Sequence, residues 1–226
     1  MSKRRRPTRK ERQQQQKRQW QTIGIVAVIL VGAFALIFTT GGLPGAAPDV
    51  AQARLDLDPI LGNADAPVTI IEYGAYGCEA CAEWHRRGYV TDILNEFNGQ
   101  VNFTFRDLPV ILPGYDRMAA NVAQCALDQG EDAFWNFHNA LYSSASPGRD
   151  SQDDLIDLAA RIGLDGVELR ECAEAGTHRR TVQYDQDRAN DLNLRSTPSF
   201  VINGRVVFGA SPELLRSTIQ EALAGL

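Results

Sequence analysis

The chain has 226 residues, 44% hydrophobic and 23% charged, with a formal net charge of −5 and four cysteines. That length suits one domain of ordinary size plus a tail. The charge is divided: residues 1–20 hold nine Lys or Arg and one acid, Glu11, leaving 14 basic against 27 acidic residues elsewhere, which excludes a uniformly basic nucleic-acid-binding body.

Residues 1–20 are Gln-rich and charged, and read as a basic cytoplasmic tail without a core of its own. Residues 22–39 (TIGIVAVILVGAFALIFT) are uncharged and mostly apolar. At about 1.5 Å per residue this run reaches roughly 27 Å, close to the hydrocarbon thickness of a bilayer. A transmembrane signal anchor over 21–40 is expected, with the Lys/Arg cluster inside and the rest of the chain extracytoplasmic. Trp20 fits an interfacial anchor as well as a chance aromatic. Ala51-Gln52-Ala53 has the small-x-small pattern of a cleavage site but lies well beyond the apolar run, so the anchor is read as uncleaved.

Residues 41–58 begin Gly/Pro/Ala-rich and read as a linker to one folded domain over 59–226. The β-branched run 68–73 (VTIIEY) predicts a buried strand, 74–77 a loop, and Cys78 to about Phe97 a helix. Residues 101–106 alternate apolar and polar and predict a second strand. Residues 114–190 are helical in pattern: an Ala-rich stretch around Met118 to Leu127, a stripe of Phe134, Phe137, His138 and Leu141, and a third segment opened by a Ser151-x-x-Asp154 capping box. Residues 199–202 and 205–208 flank Asn203-Gly204, a hairpin signal, and Ser211-Pro212 opens a last helix. The order β-α-β, helical block, β-β-α predicts an α/β fold with a helical insertion.

Chemistry concentrates at Cys78-Glu79-Ala80-Cys81, where a buried strand gives way to a helix. Two residues between cysteines on a first helical turn bring the sulfurs within bonding reach. The first sulfur then sits near unpaired backbone N–H groups that favour a thiolate. Cys78 is the expected exposed nucleophile and Cys81 the buried partner that resolves a mixed disulfide. Zinc also uses CxxC, but it needs four ligands, and only His85 is at hand to join the two cysteines. Glu72, inside the apolar strand, is costly unless it serves the cysteines as a proton acceptor for Cys81; a strand-edge carboxylate facing solvent is the bland alternative. Thr197-Pro198, just before a strand, suits a cis bond presenting backbone to the sulfurs, or an ordinary trans loop proline.

These features together resemble the DsbA-like branch of the thioredoxin superfamily, especially its membrane-anchored bacterial members. The resemblance is carried by Leu61-Gly62-Asn63-Ala64-Asp65-Ala66-Pro67, Glu72, the Cys78/Cys81 pair, the helical block, Thr197-Pro198 and the Ile202-Asn203-Gly204 hairpin, over about residues 59–224. It implies a thioredoxin-like core with an inserted helical domain. It also implies disulfide exchange with exported proteins that carry reduced or mispaired cysteines. It further implies reoxidation by a quinone-linked membrane partner of the DsbB or vitamin K epoxide reductase type. Cys78 would attack, Cys81 resolve, Glu72 act as the buried acid, and Pro198 be the cis-proline with Thr197 beside the sulfurs. No cofactor and no metal is implied, and a monomer is expected. The motif departs from many relatives in having Glu79-Ala80 between the cysteines; a carboxylate there is expected to oppose Cys78 ionisation and make the centre less oxidising.

Cys125 and Cys172 read as a structural disulfide tying two helices, with two buried thiols or a redox relay as alternatives. His138 and His178 read as helix-surface or capping residues. Tyr76 and Trp84 read as groove or packing residues, and Phe134, Trp135 and Phe137 as core. Rival functions are a disulfide reductase or isomerase, such as one serving cytochrome c maturation, and a metal-binding module on the same fold.

Overall fold

The computed structural model describes residues 58–143, 150–207 and 211–226. The basic tail, the apolar run, the linker up to residue 57, and Phe208 lie outside the described residues. Among the described residues, no helix is long and apolar enough to cross a membrane.

The described strands are β1 (Ile60–Gly62), β2 (Val68–Gly74), β3 (Val101–Asp107), β4 (Ser199–Ile202) and β5 (Arg205–Val207), joined in one sheet of order β1-β3-β2-β4-β5. β2 and β3 are parallel, and the other neighbours are antiparallel. A parallel pair cannot be closed by a tight turn; here the connection carries α1 (Glu79–Arg86) and α2 (Tyr89–Phe97). The sequence reading of one helix from Cys78 to about Phe97 is therefore corrected. Gly88 adopts φ +73°, a left-handed conformation that a continuous helix cannot contain and that glycine adopts without a Cβ clash. The strand β1, three residues long, was not resolved from the approach to the first predicted strand.

Register decides what β2 faces. Ile70 pairs with Phe103 and Ile202, and Glu72 with Phe105 and Phe200. Side chains alternate along strands, so Val68, Ile70 and Glu72 share a face with these three phenylalanines and Ile202. The main core forms on this face, with Cys81, Ala82 and Trp84 of α1 and Val90, Ile93 and Phe97 of α2. A smaller cluster of Tyr73, Leu108, Ala189, Leu194 and Val201 covers the other face.

The helical insertion consists of α3 (Pro113–Leu127), α4 (Glu131–Tyr142), α5 (Gln152–Arg161), α6 (Gly166–Ala175) and α7 (Arg179–Asp191), close to the expected span of 114–190. Ser151 and Asp154 form the reciprocal capping box at the start of α5. A disulfide joins Cys125 of α3 to Cys172 of α6, with the Cα atoms 5.9 Å apart. The β4–β5 hairpin turns at Asn203-Gly204, and α8 (Pro212–Ala224) begins with the Ser211 side chain accepting from Leu214 N–H.

Two outcomes follow from this packing. A Cβ on Gly74 would collide with the Phe105 ring and lie 3.2 Å from Glu72 Oε1. Gly74→Ala should thus lower unfolding free energy by about 1–3 kcal/mol in a denaturant titration. Replacing both Cys125 and Cys172 by alanine should cost about 2–4 kcal/mol in the same titration, since the bridge closes a 47-residue separation in the unfolded chain.

Candidate active site

The strand-to-helix junction sets the two cysteines apart. Cys78 is the N-cap of α1, in extended conformation, and its sulfur accepts from the Cys81 N–H at 3.3 Å. Cys78 is only 4% exposed and Cys81 not at all, so the expectation of an openly exposed nucleophile is corrected: the sulfur lies in the seam between the N-terminus of α1 and the Thr197-Pro198 loop. The sulfurs are not bonded to each other. Pro198 follows a cis peptide bond, and the Thr197 carbonyl oxygen lies 3.4 Å from Cys78 Sγ.

This placement splits the two thiols. Hydrogen bonding from the Cys81 thiol, opposed by burial and assisted by Thr197 and the Ala80 and Cys81 backbone, lowers the Cys78 pKa to about 6. Cys81 is pushed far up, chiefly by burial, then by the Cys78 sulfur and the charge of Glu72. Glu79, expected to oppose ionisation of Cys78, has a side chain 72% exposed whose carboxylate pairs with Arg86.

Glu72 is fully buried on the phenylalanine-lined face of β2. Its Oε2 lies 2.8 Å from His85 Nε2, while Oε1 is buried with no hydrogen-bond partner among the described residues. His85, weighed as a metal ligand beside the cysteines, instead turns its ring to Glu72. His138 corrects a second expectation: it is fully buried, not on a helix surface. It sits on the stripe that α4 drives into the core with Phe134 and Phe137, and its Nδ1 meets Tyr76 Oη at 3.1 Å. His178 stands at the N-cap position of α7 without a capping bond and pairs with Asp128 at 2.7 Å. Tyr76 and Trp84 are buried, and Trp84 packs against Tyr89 and Phe200, so both serve the core rather than an open groove.

Sequence reasoning missed Asp116. Its buried carboxylate accepts from Gly77 N–H at 2.9 Å through Oδ1, and from Ile111 and Leu112 N–H at 3.1 and 2.8 Å through Oδ2. It thereby holds the residue before Cys78 against the loop entering α3. Its first-turn position in α3 was a visible signal for a carboxylate with local N–H partners. Among the described residues, the one grouping of three metal-type ligands is Cys125, Cys172 and His178, and both its sulfurs are spent in the disulfide.

The family model for thioredoxin matches residues 55–221, almost the whole described domain. The chain belongs to the thioredoxin family. Within it, the chain is similar to disulfide bond formation protein D of Bacillus subtilis, 27% identical over 77% of this chain and 81% of that protein. It is also 33% identical to the Na(+)/H(+) antiporter NhaA 1 of Salinispora arenicola, over 75% of this chain. The chain spans about a quarter of the length of the antiporter relatives. Among solved structures, oxidised BdbD of Bacillus subtilis superposes with a TM-score of 0.64 at 26% identity, covering 75% of this chain and 95% of that one. DsbA2 of Pseudomonas aeruginosa gives 0.59 at 26% identity, covering 80% and 96%. These likenesses place the chain among the DsbA-like members of the thioredoxin superfamily.

The lowered Cys78 pKa has a direct readout. The alkylation rate of the reduced protein should rise with a midpoint near pH 6, and Cys81→Ser should keep Cys78 as the modified site. Because the folded value lies below the ordinary value of 9.0, the thiolate's contribution to reduced-state stability is full above about pH 9 and is lost as pH falls through about 6. Thermal melts of the reduced protein against Cys78→Ser over that window measure it.

Proposed function

We propose that this chain is a thiol–disulfide oxidoreductase that forms disulfides in exported proteins through the Cys78–Cys81 couple. The observation that carries the reading is the contrast in placement at α1: Cys78 caps the helix N-terminus with its sulfur accepting from Cys81 N–H, which favours a thiolate, while Cys81, one turn in, is fully buried, which favours a thiol. A stabilised Cys78 thiolate favours the reduced protein, and a couple whose reduced form is favoured gives its disulfide away.

In this reading, Cys78 is the attacked and attacking sulfur, Cys81 resolves or leaves, and Glu72 exchanges the Cys81 proton through its unpartnered oxygen. Thr197 and the cis-Pro198 border the sulfur on the side where a substrate chain must approach. The likeness to disulfide bond formation protein D and to DsbA2 supports the same chemistry. The apolar run at 22–39 behind a Lys/Arg cluster supports a single-pass anchor with the domain outside the cytoplasm. The Cys125–Cys172 disulfide is in keeping with an oxidising compartment. A quinone-linked membrane protein is the proposed reoxidant, and the domain works as a monomer.

The deciding measurement is the reduction potential of the Cys78–Cys81 couple in glutathione buffers. A value of about −120 to −180 mV supports the oxidase, whereas about −250 mV or lower would make the chain a reductase fed with electrons across the membrane. In parallel, Cys78→Ser should abolish oxidative refolding of a reduced model protein, while an unchanged rate would remove Cys78 from the mechanism.

A further inference from the structure

The mechanism above leaves the polar rings of His85, His138 and Tyr76 unused. His85 stacks on Tyr142 of α4, with centroids 4.8 Å apart and planes 16° from parallel, and its side chain keeps 6% exposure. Its Nε2 meets Glu72 Oε2 at 2.8 Å on one side and His138 Nε2 at 3.4 Å on the other. His138 Nδ1 meets Tyr76 Oη at 3.1 Å. A continuous polar column therefore runs Glu72–His85–His138–Tyr76 through a core otherwise built of Phe103, Phe105, Phe134 and Trp135. Glu72 needs one partner in so apolar a core, but nothing in the packing calls for a second histidine behind it.

The hydrogen bonds fix the direction of the column. Tyr76 stays a phenol, since burial and then the charges of Asp107 and Glu72 push its pKa well up. When His85 Nε2 carries the hydrogen given to Glu72, His138 Nε2 can face it only as a lone pair. His138 is held neutral by burial and by His85, so its one hydrogen then sits on Nδ1 and is donated to Tyr76 Oη. The short contact between His85 and Glu72 has two arrangements that differ in the position of one proton, and the His138 Nε2 lone pair favours the one with that proton on His85. Either Glu72 is the acid and His85 Nε2 accepts, or His85 Nε2 donates and Glu72 is the carboxylate. The titratable groups facing His85 are Glu72 from β2, His138 and Tyr142 from α4, and Cys81 on its own helix; Phe103 from β3 adds no charge.

We propose that His85 is a positioning residue for the disulfide exchange assigned above, carrying the Cys81 proton between Glu72 and solvent, with the His138–Tyr76 pair fixing which of its nitrogens does so. The inference rests on that reading of the site. In the oxidising direction a substrate thiolate attacks Cys78 Sγ, the substrate–Cys78 bond forms, and the Cys78–Cys81 bond breaks with its electron pair on Cys81. Cys81 takes a proton from Glu72, and Glu72 regains one from His85, whose side chain keeps the 6% exposure through which solvent resupplies it. A second substrate thiolate attacks the substrate sulfur and releases Cys78 as thiolate. Two electrons pass from the substrate's thiolates to the protein, and one proton is taken up at Cys81. The reverse reaction runs the same proton outward.

The test is the rate at which the oxidised full chain oxidises a dithiol peptide from pH 5 to 9, measured by stopped flow. His85→Gln keeps a hydrogen bond to Glu72 but has no proton to give. It should slow the reaction at neutral pH by about a hundredfold or more and flatten the pH profile, within the range set by loss of an acid–base group. Tyr76→Phe removes only the hydroxyl that sets the tautomer, and should displace the profile with a smaller loss. In a Cys81→Ser background no Cys81 proton moves, so His85→Gln should leave the attack of Cys78 on a small aromatic disulfide unchanged. An unaltered pH profile in both single variants would overturn the relay. So would an equal loss in the Cys81→Ser background, which would make His85 merely structural. A wild-type chain that exchanges nothing with the peptide would instead overturn the underlying assignment, and the relay with it.

Discussion

A carboxylate set among phenylalanines is the constraint around which the domain is arranged. Glu72 lies on the central strand, in register with Phe105 and Phe200, where water cannot reach it. A charge there is tolerated only if a partner meets it, and the partner has to come from the helix laid over that face. The eight-residue α1 supplies His85, four positions after Cys81 and therefore on the same side of the helix. The contact that satisfies the acid thus also fixes the rotation of α1 about its axis, and with it the position of both sulfurs.

From that rotation the two cysteines acquire different lives. Cys78 ends the extended segment and receives the first free N–H groups of the helix. Cys81 is turned inward to the same apolar face as Glu72, where a negative sulfur has the least support. Identical thiols three positions apart in the motif are pushed in opposite directions, one toward the anion and one toward the protonated form, by position alone. Glu79, which stands between them in sequence, is exposed and pairs with Arg86.

Much of this was legible in the residues. The β-branched run of β2, the CxxC at its end, the Asn203-Gly204 turn and the Ser151 and Ser211 caps are local signals, and local signals survive folding. What was not legible is pairing across distance. The break at Gly88 reads in sequence as one tolerated glycine within a helical pattern; only the change of direction between α1 and α2 makes it a stop. His138 was visible on the apolar stripe of Phe134, Phe137 and Leu141, which is the signature of a buried position, yet a lone histidine says nothing about its partner 62 positions upstream. The Glu79–Arg86 pair spans seven positions, outside the three- and four-residue spacing by which helix pairs are recognised.

Asp116 carries a last consequence. One buried carboxylate grips the backbone before Cys78 and the backbone at Ile111 and Leu112, whose side chains are 44% and 42% exposed. A Cβ on Gly77 would come within 2.7 Å of that carboxylate, so the two segments are also pressed close. The backbone that leads into Cys78 and the exposed apolar edge at Ile111 and Leu112 are consequently one braced piece, so any motion of that edge is handed directly to the segment that carries the sulfur.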